Sequence, residues 1–337
     1  RLDIKFKFPN DILVYENDLY SINLKFVFAA PGRRIGQNDV RIDWEPYFVI
    51  ESKGEELPLR GTDGPNYSTI IAALNQFLVV ATFGACYPFG IVGYSAQFEE
   101  VPTGDSEKTH KTQIEVHREY HCTPAKHESQ KILFPWKSVA DKPSVYFGNW
   151  FEIFPMLRGP IALFIDSISR KNSYTPERFF NLVLALEGLH RFKFPEMSVV
   201  TETHTDRITG IVDAVPPPDK KWLSQKLEYS HEPSLRRRLK DLAMQFRDVF
   251  EWLVGAEGNA RQKKEWSLKV TGAIADSRNA LAHSLPEPGK DPGIRYYHLT
   301  GIAELLMAMH LMKEIGFDDE AISKRMQSNC FTSQYRE

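Results

Sequence analysis

Two periods divide the sequence. In the first half, apolar side chains alternate with polar ones. Leu2, Ile4, Phe6 and Phe8 do so, then Ile22, Leu24, Phe26 and Phe28, then Ile114, Val116 and Tyr120. A period of two places one set of side chains on a core face and the other in water, which predicts strands. Pro and Gly punctuate these runs at Pro31-Gly32, Gly61, Gly64-Pro65 and from Pro102 to Gly104. The apolar runs Val145–Phe154 and Ile161–Ile165 have strand length and read as further strands. Ser68–Gly84 fits two descriptions: helical spacing of Ile70, Ile71 and Leu74, or a buried strand over Phe77–Thr82.

Near residue 170 the period lengthens to 3.6. Thr175-Pro176-Glu177 is a helix start, with a capping hydroxyl, Pro at the first helical position and an acid near the positive end of the dipole. Phe179, Leu182, Val183, Leu186 and Leu189 follow at helical spacing. A polar, Pro-rich loop is then expected up to Pro216-Pro217-Pro218. Beyond it the pattern predicts helices over Lys221–Tyr229, Ser234–Leu253, Arg261–His283 and Tyr296–Ile315, and a short one at Asp319–Gln327. The expected fold class is α+β: a β-rich N-terminal domain over residues 1–170 and an all-α helical bundle over 171–337.

Composition narrows the function classes. Hydrophobic residues make up 42% of the 337 positions, enough to bury a core, so a mainly disordered chain is excluded. The formal net charge of −2 excludes a polycation that coats nucleic acid in bulk, and leaves room for a local basic patch. No apolar run reaches the roughly 20 residues that a membrane helix needs, so no membrane partner is expected. The three cysteines, Cys86, Cys122 and Cys330, are too few and too far apart for a disulfide framework. With no signal-peptide pattern at the start, the expected location is the cytoplasm.

The sharpest local feature is Asp276-Ser277-Arg278-Asn279-Ala280-Leu281-Ala282-His283. It closes an amphipathic helix whose apolar stripe is Trp266, Val270, Ala273, Ile274 and Leu281, and Pro286 requires that helix to end near His283. Arg278 and His283 are five positions apart, about 140° of rotation on an ideal helix. One straight helix therefore does not aim both side chains at one small group. Either the helix unwinds between them, or two copies of it meet across a two-fold axis and share the site. Chemically the pair suits phosphate. Arg offers a permanent charge and a forked donor set, and His exchanges a proton near neutral pH. RNA cleavage by its own 2′-hydroxyl needs a base, an acid and a stabiliser of phosphoryl charge, with no metal or other cofactor. The bland alternative is a solvated helix end with a C-cap contact.

Arg278-Asn279-x-x-x-His283 resembles the R-x4-6-H signature of the HEPN superfamily, in which a polar residue follows the Arg. The opening helix, from Phe180 to Arg191, is similar to the first HEPN helix of ApeA-type proteins, where a β-rich domain precedes the HEPN domain. The resemblance covers roughly Ser173–Gln327. It implies a metal-independent endoribonuclease of bacterial abortive-infection defence, active as a homodimer, with transfer RNA as the expected target class and a phage-derived trigger as a further partner. By position it makes Arg278 and His283 the catalytic pair and Asn279 the supporting polar residue. Glu187 and His190 match a polar patch of the family and are candidate accessory residues.

An RNA-cutting protein of this net charge needs local cations. Arg236, Arg237, Arg238 and Lys240 form the densest run, and Lys263 and Lys264 open the motif helix. A solvated helix face paired with Glu232, Asp241 and Asp248 is the alternative. His117, His121, Cys122 and His127 are candidate zinc ligands, but no Cys-x-x-Cys pair accompanies them and an ordinary polar strand end is the simpler reading. His310, among Leu306, Met307, Met309 and Met312, reads as a core histidine. No Walker loop, dinucleotide fingerprint or Gly-x-Ser-x-Gly elbow occurs. Two rival readings remain open. In one, the helical half binds RNA or a nucleotide without cutting. In the other, the N-terminal β domain is the functional binding part and the helices are a dimerisation platform.

Overall fold

The computed structural model describes residues 11–29, 43–52, 67–85, 94–99, 111–116, 132–169, 175–285 and 292–328. It is α+β: a small three-stranded antiparallel sheet is followed by a mostly helical C-terminal region. Strands β1 (Ile12–Glu16), β2 (Tyr20–Ala29) and β3 (Asp43–Ser52) lie in that spatial order. The β1–β2 pairing begins at Ile12 opposite Leu24 and shifts register between Leu13 and Tyr15. β2 and β3 pair without interruption from Tyr20–Ser52 to Ala29–Asp43. A separate antiparallel pair joins β4 (Tyr94–Glu99) to β5 (Lys111–Val116). The expected strand at Leu2–Phe8, Tyr120 and the zinc candidates His117, His121, Cys122 and His127 lie outside the described residues.

Helix α1 (Tyr67–Ala85) resolves the ambiguous segment: Phe77–Thr82 is helical, not a strand. The two strands expected at Val145–Phe154 and Ile161–Ile165 are instead one helix, α2 (Pro143–Ser169), with Pro155 and Pro160 inside it. The helical spacing is present in Phe147, Trp150, Phe151, Leu157, Ile161, Phe164 and Ile168, all buried. Each interior proline costs about 3 kcal/mol. Burying seven large apolar side chains at about 1.5–3 kcal/mol each outweighs that.

α2 is the seam of the molecule. On one side Tyr15 stacks on Phe151 with ring centroids 4.3 Å apart, and the Trp150 indole donates to the Gln76 carbonyl of α1 at 3.0 Å. On the other side α2 packs on α3 (Thr175–Lys193). Gly188 makes that approach possible. A Cβ there would stand 2.6 Å from the Pro160 ring.

The expected Pro-rich loop contains α4 (Glu202–Asp213), capped by the Thr201 side chain, and α5 (Pro217–Leu227), which begins four residues before the expected start. The single helix expected over Ser234–Leu253 is two, α6 (Leu235–Gln245) and α7 (Arg247–Leu253). Phe246 breaks them at φ −119°, ψ 43°, and its buried ring meets His310 edge-on at 4.9 Å. α8 (Ala260–Ala282) opens with a capping box of Asn259 and Gln262. α9 (Pro292–Glu314) is buried at every position from Leu299 to Met312, so it forms the axis of the bundle. α10 (Asp319–Ser328) closes the described fold. The buried Glu304 carboxylate on α9 accepts from Ser167 at 2.9 Å and from Arg178 at 2.6 Å. The buried core runs unbroken from Val14 to Met326. No helix among the described residues is long and apolar enough to cross a membrane.

Candidate functional site

The end of α8 carries the motif. The helix runs without unwinding through Ala282, and the His283 amide still donates to the Asn279 carbonyl at 3.1 Å. Of the two ways to unite Arg278 with His283, unwinding is therefore removed. His283 is the C-cap. Ser284 follows with φ +51°, its amide donating to the Leu281 carbonyl at 3.3 Å and the Leu285 amide to the Ala280 carbonyl at 2.9 Å. That is a Schellman closure with Ser in the left-handed position where Gly is usual. It ends the helix sharply and leaves the His283 ring exposed, without a hydrogen bond to any described residue. Asn279, one turn earlier on the same face, is also exposed.

Arg278 sits against α3 rather than in open solvent. Its Nη2 donates to Glu187 at 3.2 Å and its Nη1 to the Asn279 amide oxygen at 3.4 Å. The guanidinium lies over the Phe180 ring, 5.4 Å from the centroid. Its Nε is buried without a partner among the described residues. Phe180 and Glu187 are seven residues apart, hence on one face of α3, and together they fix the guanidinium. That helical spacing was the available sequence signal for Phe180, which motif reasoning passed over. A guanidinium has five N–H groups. Glu187 and Asn279 take one each, and two Nη hydrogens remain for a ligand.

This arrangement joins the first and the penultimate long helices of a bundle through a helix-end Arg-Asn-x-x-x-His. Residues 180–321 match the Apea-like HEPN family. The match runs from α3 into α10 and includes every residue of the arrangement just described. No curated protein and no solved structure gives a match. The family match supports a nuclease or RNA-related role for the HEPN domain.

The basic residues divide. Arg236 is exposed and its Nη2 donates to both Asp276 oxygens, at 2.7 and 3.0 Å, from across α8. Arg237 is exposed and paired with Asp241 at 2.9 Å. Lys240 is half-buried, Lys263 half-buried and Lys264 exposed, and none of the three has an ion pair among the described residues. Arg238 corrects the expectation of an RNA-facing run. It is 2% exposed, and its guanidinium donates to Glu232 at 2.7 Å and to the Pro233 carbonyl at 3.1 Å. It faces the interior of the HEPN domain, so no phosphate in solution reaches it.

His190 is likewise internal. Its Nδ1 lies 3.3 Å from Arg238 Nη1 and its Nε2 3.4 Å from Asp241. Burial, and then the Arg238 charge, lower its pKa against the pull of Asp241. The neutral tautomer that accepts from Arg238 and donates to Asp241 fits both contacts. His190 thus ties α3 to α6 from inside. His310 donates through Nε2 to the Leu242 carbonyl at 3.2 Å, and burial pushes its pKa down to about 3. It is a core residue, as its neighbours indicate. No group of three His, Cys, Asp or Glu among the described residues is placed to hold a metal ion.

Proposed function

We propose that this protein is a metal-independent endoribonuclease of bacterial abortive-infection defence, and that it cuts RNA, with transfer RNA as the target class. The observation that carries the reading is the helix-end arrangement itself. Arg278 is fixed by Glu187 and Phe180, and Asn279 and an unengaged His283 are presented on one exposed face of α8.

Because α8 stays straight, the shared site is built by two copies of the chain in a homodimer, with the two motif helices side by side. A His283 imidazole removes the proton from a 2′-hydroxyl. The freed oxygen attacks the adjacent phosphorus, and the bond to the 5′-oxygen breaks. The other protomer's histidine protonates that 5′-oxygen as it leaves. Arg278 donates its open Nη hydrogens to the phosphoryl oxygens as charge builds on them. The products are a 2′,3′-cyclic phosphate and a free 5′-hydroxyl. Arg236, Arg237, Lys240, Lys263 and Lys264 supply the positive surface that steers the backbone in. Glu187 is a positioning residue for Arg278. Residues 1–170 serve as the sensing part that answers a phage-derived trigger, with α2 as its contact to the ribonuclease at 171–337. The site of action is the cytoplasm.

The test is incubation of the purified chain with total bacterial tRNA in EDTA, beside His283→Ala. Discrete fragments ending in 2′,3′-cyclic phosphate, made by the parent and not by the variant, are expected. Equal cleavage by both overturns the assignment. Tight RNA binding by both with no cleavage, in the presence of phage lysate as well, replaces it with a binding module.

A further inference from the structure

The hairpin of α4 and α5 is an anomaly in an otherwise well-filled domain. Every residue of both helices is at least partly exposed, and the two pack chiefly on each other. It contributes nothing to the core, yet it carries two of the most exposed aromatic residues in the described chain, Trp222 at 60% and Tyr229 at 67%. The ends of the hairpin are tied: His204 Nε2 lies 3.1 Å from Ser230 Oγ, and the His204 and His231 rings meet edge-on at 5.9 Å. Glu232, just beyond, accepts from both Arg191 and Arg238. The arm is therefore rooted on α3 and α6, next to the run that begins with Arg236 and its Asp276 contact on α8.

The exposed residues are ordered. Trp222, Gln225, Lys226 and Tyr229 recur at positions i, i+3, i+4 and i+7. Glu228 keeps helical dihedrals of −50° and −43°, so Tyr229 continues the stripe past the end of α5. Two ring faces about 10 Å apart along the axis thus flank a lysine and an amide. Lys221 and Lys226 have no ion pair among the described residues, and Glu228 lies off the stripe. Aromatic faces interleaved with cations are the composition that holds unpaired bases. The rings stack on any base, the lysines follow the phosphates, and duplex RNA, with its bases already stacked, gains nothing from the rings.

We propose that the α4–α5 hairpin is a substrate-reading arm that grips a single-stranded segment of the RNA beside the cleavage site, stacking unpaired bases on Trp222 and Tyr229. This rests on the ribonuclease reading of the α8 motif, but its test does not require cleavage.

In the chain carrying His283→Ala, binding of a fluorescein-labelled eight-nucleotide oligouridylate and of an eight-base-pair RNA duplex is measured by anisotropy. Trp222→Ala is expected to weaken oligouridylate binding about tenfold or more and Trp222→Phe much less, with the duplex unchanged by either. Tyr229→Ala behaves like Trp222→Ala. Lys226→Ala lowers the salt dependence of oligouridylate binding, which Trp222→Ala leaves alone. In the His283 parent, Trp222→Ala slows cleavage of tRNA and spares a trinucleotide too short to reach the arm. Oligouridylate binding that Trp222→Ala leaves intact, or is absent from the start, overturns the proposal. So does an equal loss of duplex binding, or a change in oligomeric state on Trp222→Ala, which makes the arm a protein contact. Failure of the ribonuclease reading shows separately, as absent cleavage of the trinucleotide and tRNA alike.

Discussion

Acid destabilises this protein through His310. Its ring is fully buried beside Phe246, and its pKa falls from an ordinary 6.5 to about 3 in the fold. The unfolded chain therefore binds a proton between pH 6.5 and 3 that the folded chain refuses. Stability is full above pH 6.5 and falls as the pH drops through that window. From pH 7.5 to 5.0 the unfolded state gains a factor of roughly thirty, or about 2 kcal/mol. His310→Gln keeps an amide donor for the Leu242 carbonyl and cannot be charged. Urea titrations of parent and variant at the two pH values measure the difference. The parent should lose about 2 kcal/mol more than the variant on acidification. His190, whose pKa is also lowered, adds a loss of the same sign to both proteins and cancels. Equal acid losses in parent and variant would refute the assignment of His310 as a neutral core residue.

Three further outcomes follow from packing. Gly188→Ala drives a methyl into the Pro160 ring at 2.6 Å; overpacking of about 1–3 kcal/mol exceeds the helix-propensity gain of about 1 kcal/mol, so the melting temperature falls, whereas Gly210→Ala, with nothing within 4 Å, raises hydrogen-exchange protection in α4. Arg238→Met removes the buried donor of the Pro233 carbonyl and one of the two donors of Glu232, and costs about 1–3 kcal/mol in chemical denaturation, while Arg236→Ala, at an exposed pair, costs less than about 1 kcal/mol. Ser284→Gly relieves the left-handed backbone at φ +51° and stabilises the chain by about 0.5–1 kcal/mol, read as a higher melting temperature.

The helical half was legible wherever a start or stop signal met a clear stripe. Thr175-Pro176-Glu177, the Arg261–His283 stripe and the end of α8 before Pro286 all lie where the pattern puts them. α2 was misread because its apolar residues run nearly continuously and two prolines cut the run into strand-sized pieces. Burial on both faces overrides the prolines, and only the neighbouring sheet and α3 make that visible. α4 was hidden by the opposite cause: its apolar stripe is only Ile208, Ile211 and Val212, set among polar residues and never fully buried. At the site, chain order could supply Arg278, Asn279 and His283. The partner of Arg278 comes from a residue 91 positions away, and Arg238 looks like its exposed neighbours in sequence and differs from them only in facing inward.

The position of α2 before the HEPN domain also sets an order of events during synthesis. The ribosome releases the sheet and α2 first, so the apolar face of α3 meets its cover as soon as it emerges. α8, which carries Arg278, emerges later and packs directly on α3 and α6. The guanidinium of Arg278 and the carboxylate of Glu187 are thus brought together only once the chain has grown 91 positions beyond Glu187. A chain stopped before α8 carries Phe180 and Glu187 without the guanidinium they hold, and the sheet and α2 already cover α3 by then.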